Sequence, residues 1–124
     1  MKKSGFAHRF SCIAFLMLFL ALPSAKAAEN RQGVIQMIAM SLESAKSALE
    51  SDRTGNKPQA LNSLKQTEQY IKQYTDSVPA AKIKKLKSSI TQAKDYMQNS
   101  QMDQAGESIS QAIAQIQEIQ AMMK

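Results

Sequence analysis

Four segments of this 124-residue chain repeat apolar residues at alternating spacings of three and four. Such spacing places the side chains on one face of an α-helix, and that face must be buried. The stripes are Ile35, Ile38, Leu42, Ala45, Leu49 and Asp52; Ala60, Leu64, Thr67, Ile71, Tyr74 and Val78; Ile83, Leu86, Ile90, Ala93 and Met97; and Met102, Ala105, Ile109, Ala112, Ile116, Ile119 and Met123. The pattern predicts an all-α protein with helices at about 31–53, 58–76, 79–99 and 103–123.

Turn-forming residues separate the first three stripes. Gly55 is a helix-stopping residue, Asn56 is a favourable N-cap, and Pro58 fits the first turn of the next helix. Ser77-Val78-Pro79 marks a second turn in the same way. Each of these segments therefore predicts a short helix–helix connection.

The third connection, "NSQMD", contains nothing that forbids a helix, but the phase of the stripe breaks between Met97 and Met102. We expect a turn there, with Ser100 or Asp103 as the cap. The alternative is one continuous helix over 80–123, with the core closed by dimerisation. Short turns favour the first arrangement, an antiparallel up-down-up-down four-helix bundle made of two helical hairpins over residues 28–124.

Residues 1–27 match a bacterial secretory signal peptide. Lys2 and Lys3 precede the apolar run "IAFLMLFLAL", and Ala25-Lys26-Ala27 forms a cleavage motif. The run is about half as long as a membrane-spanning helix requires. We expect cleavage before Ala28 and export to the periplasm, or to the extracellular space, in preference to a retained membrane anchor.

Removal of residues 1–27 changes the charge and the chemistry of the chain. Four of the sixteen basic residues and none of the ten acidic residues are lost, so the net charge falls from +6 to +2. The only histidine, His8, and the only cysteine, Cys12, also lie in this segment. With so small a charge, and with aromatic residues reduced to three scattered tyrosines, we expect no nucleic-acid partner.

The run "AKSALESDRTGNKPQALNSLKQTEQY", Ala45–Tyr70, resembles the helical hairpin of the exported small metal-binding proteins. In that hairpin, Ala-Leu, a glycine turn and a second Ala-Leu recur behind a signal peptide. The resemblance implies a four-helix bundle and an exported protein. That family binds metal through histidines spaced along the helices, and residues 28–124 contain none.

Residues 28–124 offer few groups for catalysis or for a cofactor. Without His or Cys there is no Ser-His or Cys-His nucleophile, no zinc cluster and no haem ligand of the usual kind. The four glycines of the chain form no phosphate-binding loop. Asp103 and Glu107 lie one turn apart, but acids are also favoured at a helix N-terminus. We therefore expect no catalytic, cofactor or metal site.

Methionine and tyrosine are the remaining side chains that invite a specific role. Met37 and Met40 lie one turn apart and off the first stripe, so with Val34 they are expected to form an apolar contact patch. Contact with a partner or a neighbouring helix is favoured over copper binding. Tyr70 and Tyr74 share one face of the second helix, and we expect their hydroxyl groups near the surface.

Four lysines stand in the opening turns of the third helix: Lys82, Lys84, Lys85 and Lys87. Cations there oppose the helix dipole, at about 0.3 to 1 kcal/mol each when exposed. Because Ile83, Leu86 and Ile90 occupy the buried stripe, the ammonium groups should project into solvent. They form either a solvated face or a docking patch for phospholipid headgroups, lipopolysaccharide phosphates or an acidic protein.

The sequence thus favours a non-enzymatic periplasmic binding or interaction module of the cell envelope, either monomeric or homodimeric. Peripheral contact with a membrane fits this interpretation. A metal-binding or cation-binding protein related to the small metal-binding proteins is the first alternative. A periplasmic stress chaperone is the second.

Overall fold

The computed structural model describes residues 31–123, and the predicted signal peptide therefore lies outside the described residues. The chain divides into two compact units, Met1–Gly33 and Val34–Lys124. Of the first unit only residues 31–33, the opening turn of a helix, are described. The core discussed below belongs to the second unit.

Four α-helices account for most of the described residues: α1 (Arg31–Arg53), α2 (Lys57–Tyr74), α3 (Ala80–Gln98) and α4 (Met102–Met122). A short 3₁₀ helix, η1 (Thr75–Ser77), follows α2. No strand occurs within residues 31–123. The protein is all-helical over this range, which is compatible with a four-helix bundle, and each helix begins and ends within two residues of its predicted range.

The helix α1 ends in a Schellman motif at Gly55. The N–H of Asn56 donates to the carbonyl of Ser51 at 2.8 Å, and the N–H of Gly55 donates to that of Asp52 at 3.1 Å. Gly55 has φ +77°, a left-handed conformation that a side chain disfavours. Asn56 then caps α2 by accepting from the N–H of Gln59 at 3.3 Å, which confirms the predicted cap.

The same motif recurs at the end of α3, with Ser100 in the place of glycine. Ser100 has φ +60°, and the N–H of Gln101 donates to the carbonyl of Tyr96 at 2.7 Å. The alternative of one helix over 80–123 is therefore wrong. The predicted cap is also wrong, because Gln101 occupies the N-cap position of α4 without a side-chain hydrogen bond.

The core is built from branched aliphatic side chains separated by small ones. Ile38, Leu64, Ile90 and Ile116 are among the residues with no solvent exposure. Alanines fill the positions between them and allow the helices to approach closely. The buried alanines are Ala45, Ala48, Ala60, Ala93, Ala105 and Ala112.

Buried hydroxyl groups join α1 to α2. Ser41 Oγ donates to the carbonyl of Ile38 at 2.7 Å and lies 2.7 Å from the hydroxyl of Tyr74. Because the single hydroxyl hydrogen of Ser41 is used in the first bond, Tyr74 is the donor in the second. Ser44 and Thr67 form a second contact of 2.7 Å one turn away. Tyr74 is fully buried, so the expectation of a surface hydroxyl at this residue was wrong.

The buried face of α1 follows the predicted stripe through Ile38, Leu42, Ala45 and Asp52, and the difference lies near the N-terminal end of the helix. Val34 and Met37 pack against the core as half-buried residues. Ile35, which the stripe places inside, is only half-buried. At this end of α1 the contacts with the core run through Val34, Met37 and Ile38, because apolar residues at adjacent positions leave the rotation of a helix undefined.

Candidate functional site

We use the name lysine cluster for Lys82, Lys84, Lys85 and Lys87, which lie in the first two turns of α3. Ile83 and Leu86 in the same turns, and Ile90 one turn later, are buried in the core. Lys84, Lys85 and Lys87 are exposed. Burial of the intervening apolar residues therefore forces these three ammonium groups onto the outer side of α3.

Among residues 31–123, one lysine of the cluster has an acidic partner and the other three have none. Lys82 Nζ lies 3.2 Å from Glu118 Oε2 on α4, with side chains that are 36% and 61% exposed. An ion pair at such exposure contributes little to stability. Within residues 31–123, no acidic side chain pairs with Lys84, Lys85 or Lys87. The cluster therefore presents uncompensated positive charge.

The start of α3 does nothing to offset this charge. Pro79 is its N-cap residue and supplies no side-chain hydrogen bond, and no acid lies in the first turn of the helix. Lysines beside the positive end of a helix dipole reduce its stability. Local helix stability therefore does not explain why the lysines stand here.

Met37 and Met40, the residues of the expected apolar contact patch, lie in the N-terminal half of α1. Met37 is half-buried and packs against the core, so it contributes to folding. Met40 is also half-buried. Val34 also contacts the core, and the contact patch for a partner at Met37 and Met40 stays a prediction.

A groove between the end of α1 and the first half of α4 brings together three acidic residues. Asp52 comes from α1, whereas Asp103 and Glu107 lie one turn apart on α4. Apolar walls are supplied by residues that include Leu49 and Met102.

Asp52 is the least compensated group in the groove. Asp52 is 7% exposed, and its Oδ1 atom has no hydrogen-bond partner within residues 31–123. A Cβ atom placed on Gly106 would stand 2.8 Å from Asp52 Oδ2. The carboxyl group thus lies directly against the backbone of α4, at a position that only glycine leaves open.

Burial raises the pKa of Asp52 above its usual value of 3.8, and the neighbouring charge of Asp103 raises it further. The guanidinium group of Arg53 opposes this shift. The position of Asp52 at the C-terminal end of α1 adds to the cost of its charge, since the helix dipole is negative there. Its place on the predicted stripe was the sequence signal for burial.

Across the described range, no group of three or more His, Cys, Asp or Glu residues is arranged to hold a metal ion. In the same range, no helix has the length and hydropathy needed to cross a membrane. No family model, curated protein or solved structure matches the chain.

Proposed function

We propose that this chain is an exported, non-enzymatic helical protein that contacts an anionic component of the bacterial cell envelope through the lysine cluster. The observation that carries the proposal is the set of three exposed lysines, Lys84, Lys85 and Lys87, without acidic partners among the described residues. Export is supported by the sequence features of residues 1–27. Mass spectrometry of the protein from the periplasmic fraction should give a chain beginning at Ala28, and an uncleaved chain would refute export by this route.

An antiparallel up-down-up-down bundle is the topology that we propose for the helices. The hydrogen bonds support it. Ser41 on α1 contacts Tyr74 on α2, whereas Ser44, further along α1, contacts the earlier residue Thr67. The two helices therefore run in opposite directions. The contacts of α3 with α4 follow the same order. Lys82 pairs with Glu118, and further along α3 Ser89 Oγ donates to Gln115, which precedes Glu118 on α4.

Lipid phosphates are the partner chemistry that suits the lysine cluster best. Lysine ammonium groups act as compact, strongly hydrated charges that bind phosphate without a fixed geometry. A basic residue near an anionic membrane contributes about 1 kcal/mol, so the three unpaired lysines would contribute about 3 kcal/mol. Contact of that strength is weak, reversible and sensitive to salt.

Vesicle sedimentation tests the proposal. The wild-type protein should be retained on vesicles that contain phosphatidylglycerol at low salt, and not on phosphatidylcholine vesicles. Replacing Lys84, Lys85 and Lys87 with Gln should abolish retention. The matched control replaces Lys46, Lys65 and Lys72, which are also exposed, and it removes the same charge from α1 and α2.

The control variant should keep most of the binding if the position of the charge matters. Equal loss in the two triple variants would show that only net charge acts, and would refute a specific docking surface. Retention that is unaffected by ionic strength would also contradict the proposal. If the protein does not bind vesicles but is retained on an immobilised acidic protein, the partner is a protein and not a lipid.

The interpretation as a metal-binding protein gains no support from the arrangement of side chains. The resemblance to the small metal-binding proteins stays a prediction, as does the interpretation as a stress chaperone. The acidic groove nevertheless contains an unexplained carboxylate, whose chemistry suggests a different kind of cation.

A further inference from the structure

Among residues 31–123, the groove between α1 and α4 contains a buried carboxyl group with an oxygen that has no hydrogen-bond partner. Asp52 is 7% exposed, and its Oδ1 atom has neither solvent contact nor a hydrogen-bond donor within residues 31–123. A buried carboxylate without a partner is costly, whereas one that receives a charged donor is stabilised. The feature therefore calls for a cationic group that the described part of the chain does not supply.

Arg53, the nearest candidate within the chain, does not fill this role. Its charge lowers the pKa of Asp52, and it also lines the groove. It is exposed, however, and it forms no ion pair with Asp52 within the described range. The ionisable side chains that line the groove are one base and three acids: Arg53, Asp52, Asp103 and Glu107. Their net charge is −2 when all four are ionised.

The groove suits an organic cation better than a metal ion. Calcium and magnesium require about six oxygen ligands in a closed shell, and residues 31–123 contain no group of three acidic side chains able to hold a metal. An ammonium group, in contrast, donates three hydrogen bonds and can bind carboxylates at varied spacings. Its methylene chain gains from apolar surface.

An aliphatic polyamine requires apolar surface for its methylene groups and carboxylates for its ammonium groups, and residues of both kinds line this groove. Leu49 and Met102 supply apolar surface. Asp52 on α1 and the pair Asp103 and Glu107 on α4 supply carboxylates from two helices. A flexible amine with two or more charges can therefore contact both sides, with methylene groups between them.

We propose that the groove between α1 and α4 is a binding site for an aliphatic di- or polyamine, with Asp52 and Asp103 as the principal ligands of its ammonium groups. Gly106 is the positioning residue, because the absence of its side chain allows the Asp52 carboxyl group to lie across the groove. Asp52 and Asp103 both line the groove, from α1 and α4 respectively. The site is separate from the lysine cluster and does not depend on it.

Isothermal titration calorimetry with spermidine tests this proposal on the purified protein. We expect saturable binding that Asp52→Asn and Asp103→Asn each weaken by at least about tenfold, the loss expected for a hydrogen bond to a charged group. Asp95→Asn is the matched control, because Asp95 is exposed on α3 and does not line the groove. The control should bind spermidine as the wild-type protein does.

Three outcomes would overturn the proposal: no saturable binding of spermidine at millimolar concentration, equal weakening by Asp95→Asn, or displacement of spermidine by MgCl₂ beyond that caused by NaCl at the same ionic strength. The last result would identify a metal site. Circular dichroism of each variant at the titration temperature establishes that it is folded. Because Asn is close to Asp in size, and the charge of Asp52 is unfavourable, we expect the Asp52→Asn variant to fold.

Discussion

Asp52 Oδ2 lies 2.8 Å from the point where a Cβ atom on Gly106 would stand. The end of α1 and the first half of α4 thus approach so closely that a carboxyl group occupies the volume of a missing side chain. A helical glycine ordinarily costs about 1 kcal/mol relative to alanine. The contact with Asp52 explains why glycine is accommodated at this position of α4.

The first prediction uses this contact in a double-mutant cycle. Gly106→Ala should stabilise the Asp52→Ala variant by about 1 kcal/mol, because the gain in helix propensity is then unopposed. In the wild-type background the gain should be smaller, since the new methyl group displaces the carboxyl group. Urea unfolding of the four proteins measures the difference. Equal gains in both backgrounds would show that the contact has no energetic consequence.

The second prediction concerns pH. The pKa of Asp52 is raised in the folded state by burial and by Asp103, so the folded protein binds this proton more tightly than the unfolded chain does. The contribution of Asp52 to stability therefore falls as the pH rises above about 3.8 through the raised pKa. Asp52→Asn removes this loss.

The free energy of unfolding of Asp52→Asn should exceed that of the wild-type protein most at pH 7, and the difference should shrink towards pH 3. Urea unfolding at several pH values measures it. Asp95→Asn controls for general charge effects. A difference that is independent of pH, or one that grows in acid, would contradict the assigned direction of the shift.

The third prediction concerns the two Schellman motifs. Ser100 adopts φ +60° where the equivalent residue after α1 is Gly55. A left-handed conformation costs a residue with a side chain about 1 kcal/mol or more. Ser100→Gly should therefore raise the stability by about 1 kcal/mol, and Gly55→Ser should lower it by a similar amount. Thermal unfolding of the pair tests this, and destabilisation by Ser100→Gly would contradict it.

The fourth prediction concerns the buried hydrogen bond between Ser41 and Tyr74. Tyr74→Phe should cost about 1 kcal/mol, because Ser41 keeps its bond to Ile38. Ser41→Ala should cost more, about 1 to 3 kcal/mol, since it leaves the Tyr74 hydroxyl group buried without an acceptor. In the Tyr74→Phe background Ser41→Ala should cost less than it does alone. Additive losses would show that the two hydroxyl groups do not depend on each other.

The helices and their turns were the part of the fold that the sequence predicted best. Stripe spacing marked each helix, and the Gly55-Asn56 pair fixed the first turn through local hydrogen bonds that depend on neighbouring residues alone. The core contacts at the N-terminal end of α1 were not predictable in the same way. Val34, Ile35, Met37 and Ile38 are all apolar, so packing against the other helices decided which of them face the core.

Contacts between helices account for the other errors. The sequence pattern places Tyr74 on a buried stripe but does not reveal that Ser41 stands opposite its hydroxyl group. The lysine cluster was predictable because its residues are close together in the sequence. The acidic groove was not, because Asp52 and Gly106 are distant in sequence and the orphan carboxylate arises only where α1 meets α4.

The most direct test of the central claim is to locate the lipid contact residue by residue. Amide NMR spectra of the folded protein, recorded with and without anionic bicelles, report which groups touch the surface. We predict that line broadening concentrates on residues 82–87 at the start of α3, disappears at high salt, and is lost when Lys84, Lys85 and Lys87 are replaced with Gln. Broadening that spreads evenly over all four helices, or that centres on residues outside the start of α3, would contradict the proposal that the lysine cluster is a docking surface.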